Sequence, residues 1–231
     1  NPCKELTMNA ARRGRFITLE GGEGAGKSTQ AKLLAEKLST LGLSVVVTRE
    51  PGGSPGAEAL RDIILSGKAE PFGPAGEAIL FSAARIDHID RLIAPALGRG
   101  AWVISDRFAD STRAYQGAAG KLDPALIASL ERVAVGDVRP DLTLILDLAV
   151  DKGLARAAAR RGEKGAMDRF EREGAAFHET LRRAFLDIAR AEPIRCAIID
   201  ADKPPQDVAQ AIWICVRERL ANAFETAGAR P

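Results

Sequence analysis

Leu19-Glu20-Gly21-Gly22-Glu23-Gly24-Ala25-Gly26-Lys27-Ser28-Thr29-Gln30 joins an apolar run to a helical pattern, and its reading decides the fold. From Gly21 to Ser28 it fits G-x-x-x-x-G-K-[ST], in which glycines let backbone N–H groups wrap a triphosphate. Lys27 in that pattern reaches the β and γ phosphates, and Ser28 offers its hydroxyl to magnesium. Gly21, Gly22, Glu23, Gly24, Ala25, Gly26, Lys27, Ser28 and Thr29 are therefore the candidate nucleotide-binding residues. The flanks agree with the motif. Phe16-Ile17-Thr18-Leu19 has the β-branched and aromatic character of a buried strand, and Leu33, Leu34, Leu38 and Leu41 recur at helical spacing over 27–41.

Outward from the loop, strand-like and helix-like patterns alternate. Strands are expected at 16–19, 44–48, 101–105, 142–148 and 195–199, and helices at 27–41, 56–65, 76–99, 124–135, 151–161, 171–191 and 205–222. Such alternation predicts an α/β fold, a five-stranded parallel sheet with helices on both faces. The short apolar runs lack polar alternation, as strands buried on both faces should. Asp123, followed by Pro124, and Asp151 are placed as helix N-caps. No internal repeat or low-complexity segment breaks the pattern.

The 231 residues can bury a substantial single core. Basic and acidic residues number 33 and 31, a net charge of +2, so no global field points to nucleic acid or a membrane surface. Phosphate recognition has to come from local clusters. Cys3, Cys196 and Cys215 are an odd set without metal-ligand spacing, which fits a reducing compartment, and no apolar run reaches the roughly 20 residues of a membrane span. A cytoplasmic protein is expected. Residues 1–15, which open on Asn1 with Met8 inside them, are read as an N-terminal extension in part foreign to the chain. Residues 16–231 are read as one domain.

In an open parallel sheet, ligands bind beyond the carboxyl ends of the strands. The second strand runs into Arg49-Glu50-Pro51-Gly52-Gly53, a cation and an anion on a proline turn able to hold a cis bond. The third runs into Asp106-Arg107-Phe108. Asp106 takes the place of a magnesium-orienting carboxylate, and Arg107 suits a second phosphate. Asp147 and Asp151, after the fourth strand, read as structural. One phosphate loop leaves GTPases, motor ATPases and small-molecule kinases open. No Asn-Lys-x-Asp guanine motif occurs, whereas Arg49 and Arg107 suit an acceptor that itself carries a phosphate.

At this point the chain resembles the thymidylate kinase family. The matching strings are Glu20–Thr29, Thr48-Arg49-Glu50-Pro51-Gly52-Gly53, Phe81-Ser82-Ala83-Ala84-Arg85, Ser105-Asp106-Arg107-Phe108, Ser111-Thr112, Ala114-Tyr115-Gln116-Gly117 and Arg139-Pro140-Asp141-Leu142-Thr143. The resemblance implies a P-loop NTPase fold with a small lid, and magnesium-dependent transfer of the ATP γ-phosphoryl to dTMP, giving dTDP and ADP in dTTP biosynthesis. It assigns Ser28 and Asp106 to Mg2+. It assigns Phe81 and Arg85, four apart on one helix face, to the thymine base. Tyr115 and Gln116 are assigned to the deoxyribose and base, and Glu23 to the sugar's 3′ hydroxyl. Arg49, Glu50, Arg107 and Ser111 complete the substrate-binding set.

Glu23-Gly24-Ala25 places no arginine inside the loop, as some relatives do, so the charge that steadies the transferring phosphoryl must come from elsewhere. The basic, glycine-interrupted run Arg160–Arg169 matches the family's lid. Lys27, Arg107, Arg161 and Arg169 are the expected catalytic set. Kinases for other nucleosides or nucleoside monophosphates, and a nucleotide-binding switch without turnover, are the alternatives. Membership further implies a homodimer through the helices near 76–99 and 110–135, with ATP and dTMP as small-molecule partners and no nucleic-acid or membrane partner.

Overall fold

The computed structural model describes residues 13–161 and 169–226. Its strands are β1 (Phe16–Glu20), β2 (Val45–Arg49), β3 (Trp102–Asp106), β4 (Leu142–Asp147) and β5 (Cys196–Asp200), each within one residue of its expected range. They form a single parallel sheet in the order β2-β3-β1-β4-β5. The register sets Leu19 of β1 and Arg49 of β2 on either side of Asp106 of β3. Three strand ends therefore finish level, and the loops that follow them meet.

The helices are α1 (Lys27–Thr40), α2 (Pro55–Leu65), α3 (Gly73–His88), α4 (Ala94–Gly98), α5 (Ala109–Thr112), α6 (Pro124–Val135), α7 (Val150–Arg161), α8 (Ala175–Ala191), α9 (Pro205–Arg219) and α10 (Ala221–Thr226). Successive side chains of a strand point to opposite faces, so both faces carry apolar layers. Ile17, Leu19 and Leu144 meet Leu34 and Leu38 of α1 and Ile212 and Val216 of α9. On the other face Phe16 and Val103 meet Ile93 and Phe108, and Ile145 meets Leu181 and Phe185 of α8. The edge strands depart from the expected two-sided burial: Val47 is 44% exposed and Ile198 47%. An edge strand has a neighbour on one side only, so part of its side-chain surface stays open to solvent.

Several helical runs differ from expectation: the run expected over 171–191 begins only at Ala175, after Gly174, and the one expected over 205–222 stops at Arg219, with α10 following as a separate helix. The pattern over 76–99 is not one helix; α3 ends at His88, and Ile89–Ile93 forms a wide turn in which Ala94 N–H bonds Ile89 O. Pro95 explains the break, because it lacks an N–H and its ring collides with the carbonyl one turn earlier. Ahead of α6, the short α5 and a second wide turn, Arg113–Ala119, occupy a stretch where the sequence shows no helical period. Asp123 caps α6 as expected, accepting from Ala125 N–H at 2.8 Å. Asp151 does not cap, since α7 already begins at Val150; the carboxylate sits in the first turn, where the helix dipole still favours it. Among the described residues, no helix is long and apolar enough to cross a membrane.

One contact positions the phosphate loop. Gly24 (φ +67°) lies so close to α7 that a Cβ on it would fall 2.0 Å from the Gly153 carbonyl oxygen, and a Cβ on Gly153 would fall 2.4 Å from the Glu23 backbone carbonyl oxygen. Alanine is ordinarily favoured over glycine inside a helix by about 1 kcal/mol. Gly153→Ala is expected to reverse that preference, lowering the urea midpoint of unfolding, because backbone on both sides has to move. An unchanged or raised midpoint would show that loop and helix are not held in this contact.

Candidate active site

The loops after β1, β2 and β3 enclose a cavity of about 240 Å³. One end of it is the phosphate loop. Gly26 adopts φ +91° and hands the chain to α1, so Lys27, Ser28 and Thr29 form the helix's first turn with their N–H groups free for an anion. Lys27 Nζ donates to the carbonyls of Gly21 at 3.1 Å and Gly22 at 2.7 Å. Burial, with Arg107 nearby, pulls this ammonium down to about 8, although Glu23, Asp106 and Glu20 oppose the shift.

Arg107 lies between this loop and the opposite wall. Its backbone has φ +71°, uncommon for a residue with a side chain, and its N–H bonds Leu19 O at 2.9 Å. The guanidinium reaches Gly21 O and Ser111 Oγ at 3.2 Å each and Glu23 Oε1 at 2.6 Å. Tyr115 adds its hydroxyl to the same Glu23 oxygen at 2.9 Å, and the Arg107 guanidinium stacks 5.1 Å above its ring. Burial works against the Glu23 carboxylate, but Arg107, Lys27 and Tyr115 outweigh it and hold the group at about 2. Burial also opposes the Arg107 charge, yet Tyr115 and the carboxylates of Glu23, Asp106 and Glu20 raise its pKa above the ordinary value.

Behind Arg107, fully buried Glu20 accepts from Phe108 N–H at 2.8 Å, Ser111 N–H at 3.2 Å and Ser111 Oγ at 2.7 Å. Its burial, reinforced by Asp110, pushes the carboxyl up to about 7. The Ser28 hydroxyl touches the Asp106 carboxylate. A hydroxyl and one carboxylate are oxygen donors suited to a hard cation. Among the described residues, no three His, Cys, Asp or Glu side chains converge on a metal position. Magnesium is commonly held in this sparse way, by one or two carboxylates with substrate phosphates and water.

The opposite end is built from α3, the turn after β2 and the stretch after β3. Glu50 follows β2 through its N–H bond to Asp106 O at 2.9 Å and precedes a cis Pro51. Arg85 donates Nε to Glu50 at 2.8 Å, and Nη2 to Phe108 O at 3.1 Å and Thr112 Oγ1 at 3.2 Å. Phe81, half-buried one turn earlier, sits 6.1 Å from the Phe170 ring. Gln116 lies in the wide turn after α5, its amide 3.4 Å from Glu77 Oε2, and Arg49 is held by Glu58 at 3.0 Å.

Nearly all the residues singled out in the sequence line this one cavity: Glu23, Gly24, Gly26, Lys27, Ser28, Thr29, Arg49, Glu50, Phe81, Arg85, Asp106, Arg107, Ser111, Tyr115 and Gln116. Gly21, Gly22 and Ala25 shape the loop without lining the cavity. Arg169 does not line it either; its guanidinium lies 3.4 Å from Glu77 and 3.8 Å from Glu70, touches Glu173 and covers the Phe170 ring. Arg160 does reach the wall, 3.8 Å from Glu171. The Arg161 side chain and residues 162–168 of the expected lid lie outside the described residues. Sequence reasoning missed Glu20, Thr112 and Phe170. Glu20 carried a signal, a carboxylate ending an otherwise apolar strand, whereas Phe170 carried none beyond its place after the basic run.

The thymidylate kinase family model matches residues 19–212. The chain is similar to the thymidylate kinase of Bradyrhizobium diazoefficiens, 57% identical over 208 residues that cover 90% of this chain and 91% of the relative. It is also similar to that of Afipia carboxidovorans, 54% identical over 222 residues that cover 96% and 97%. Among solved structures it is similar to the crystal structure of thymidylate kinase from Ehrlichia chaffeensis, with a TM-score of 0.71 and 34% identity, covering 88% of this chain and 99% of that one. Because the match spans both ends of the cavity and not the phosphate loop alone, the chain belongs to the thymidylate kinase family.

Proposed function

We propose that this protein transfers the γ-phosphoryl group of ATP to dTMP, giving dTDP and ADP on the way to dTTP. One observation carries the reading beyond the family: Arg107 joins the phosphate loop, through Gly21 O and Glu23, to the acceptor wall, through Ser111 and Tyr115. A cavity with a phosphate cradle at one end and a second guanidinium at its middle suits two phosphate-bearing substrates end to end. An oxygen of the dTMP phosphate attacks the γ-phosphorus as the bond to the ADP oxygen breaks in line. The protein's work is placement: Lys27 and the loop amides hold the donor, and Arg107, with Arg49 at the rim, holds the acceptor phosphate. Phe81 and Arg85 receive the base, Tyr115 and Gln116 the sugar and base, and Glu23 the 3′ hydroxyl. Glu50 and Ser111 serve this set by holding Arg85 and Arg107.

Ser28 and Asp106 would hold magnesium, which when bound neutralises charge on the donor phosphates. The remaining positive charge comes from the lid over 160–169, with Arg161 and Arg169 as catalytic groups. Arg169 can serve only by exchanging carboxylate partners for phosphate oxygens. Residues 16–231 act as one nucleoside-monophosphate-kinase-like domain in the cytoplasm. A homodimer fits Ile79 and Ile86 on α3 and Leu126 and Val133 on α6, which are 54%, 37%, 37% and 74% exposed; its mass in solution, the chain's own or twice that, tests it.

The function is tested by coupled ADP release with dTMP, dUMP, dCMP and AMP as acceptors. dTMP is expected to give the highest kcat/KM; an equal rate with another acceptor, or ADP release without any, overturns the reading. For the lid, Arg161→Ala and Arg169→Ala are each expected to lower kcat on the order of a hundredfold. Turnover within about twofold of the parent for both would remove the lid from the mechanism.

A further inference from the structure

His88, the last residue of α3, is fully buried, yet both ring nitrogens are engaged. Nδ1 lies 3.1 Å from Glu50 Oε1, and Nε2 lies 2.7 Å from Thr48 Oγ1. A carboxylate only accepts, so Nδ1 carries a proton and donates it to Glu50, while Nε2 shares its hydrogen bond with the Thr48 hydroxyl. Glu50 turns its other oxygen to Arg85 Nε at 2.8 Å, and Arg85 continues to Phe108 O and Thr112 Oγ1. The series Thr48–His88–Glu50–Arg85 thus ties β2, its proline turn, α3 and the stretch after β3 into one buried network. Gly53 (φ +89°) closes over it, since a Cβ there would fall 2.4 Å from Thr48 Oγ1 and 2.5 Å from His88 Nε2.

A buried histidine at a helix end ordinarily fills space. Here an apolar replacement would leave Glu50 Oε1 buried without its donor, and Glu50 would be free to turn away from Arg85. We propose that His88 is a positioning residue for the acceptor: by fixing Glu50 it fixes the plane of the Arg85 guanidinium at the base end of the cavity. The inference rests on the reading of Phe81 and Arg85 as the acceptor's base site. Lys27 and the donor loop take no part in this network, so the consequence falls on one substrate.

The test compares His88→Leu, His88→Asn, His88→Gln and Arg85→Lys in steady-state kinetics with dTMP and ATP varied separately. His88→Leu is expected to raise the KM for dTMP at least about tenfold, the scale of one lost hydrogen bond to a charged group, with the KM for ATP within twofold. His88→Asn, whose amide nitrogen can stand in for Nδ1, should recover most of that loss. His88→Gln, which offers its amide further out, should not, and this pair decides the matter if the leucine variant fails to fold. Equal KM values for dTMP in the Asn and Gln variants, or KM values for both substrates rising together, overturn the proposal. If Arg85→Lys leaves the KM for dTMP unchanged, the base-site reading has failed; if it raises that KM while His88→Leu does not, only the role of His88 has failed.

Discussion

The ion pair between Arg107 and Glu23 is the constraint on which the site depends. A guanidinium taken out of water costs several kcal/mol unless its charge and N–H groups are met, and removing one partner of such a pair leaves the other charge stranded. Here Glu23 at 2.6 Å, with Gly21 O, Ser111 Oγ and the Tyr115 ring, meets them. The requirement reaches back into the chain. The left-handed backbone at Arg107 turns the side chain toward the loop, and the parallel pairing of Leu19 with Asp106 brings loop and arginine to the same level.

The same pair explains why a carboxylate is tolerated within a phosphate loop. Glu23 would repel a nucleotide if it faced the cradle; bound by Arg107 and Tyr115, it faces away from it and is held at about 2. Lys27 and Arg107 repel one another, and Glu20, Glu23 and Asp106 moderate that repulsion. The site is a balanced cluster in which positive charge is concentrated without being loosely held. Such preorganisation is what phosphoryl transfer asks of a protein.

Much of this was legible in the sequence because it rests on spacing. Glu23, Gly24 and Gly26 to Ser28 of the loop, the strand ends at Arg49 and Asp106, and the helical pair Phe81 and Arg85 all line the cavity because strand and helix periods are fixed. What escaped is set by tertiary contact. The wide turn that presents Tyr115 and Gln116 has no hydrophobic period to announce it, and the break after His88 follows from Pro95 colliding with a turn already formed. Beside its near neighbour Glu173, Arg169 meets Glu70 and Glu77, which only the fold brings to it. The partnership of His88 with Glu50 likewise spans 38 positions and leaves no mark in local pattern.

The most direct test of the central interaction is a double-mutant cycle of Glu23→Gln and Arg107→Lys, read as kcat/KM for dTMP. If the pair joins the phosphate loop to the acceptor wall, each single change lowers kcat/KM at least about tenfold, and the double variant falls far short of the product of the two losses. Losses that multiply, with coupling below about twofold, would contradict the account and leave Arg107 and Glu23 as independent contacts.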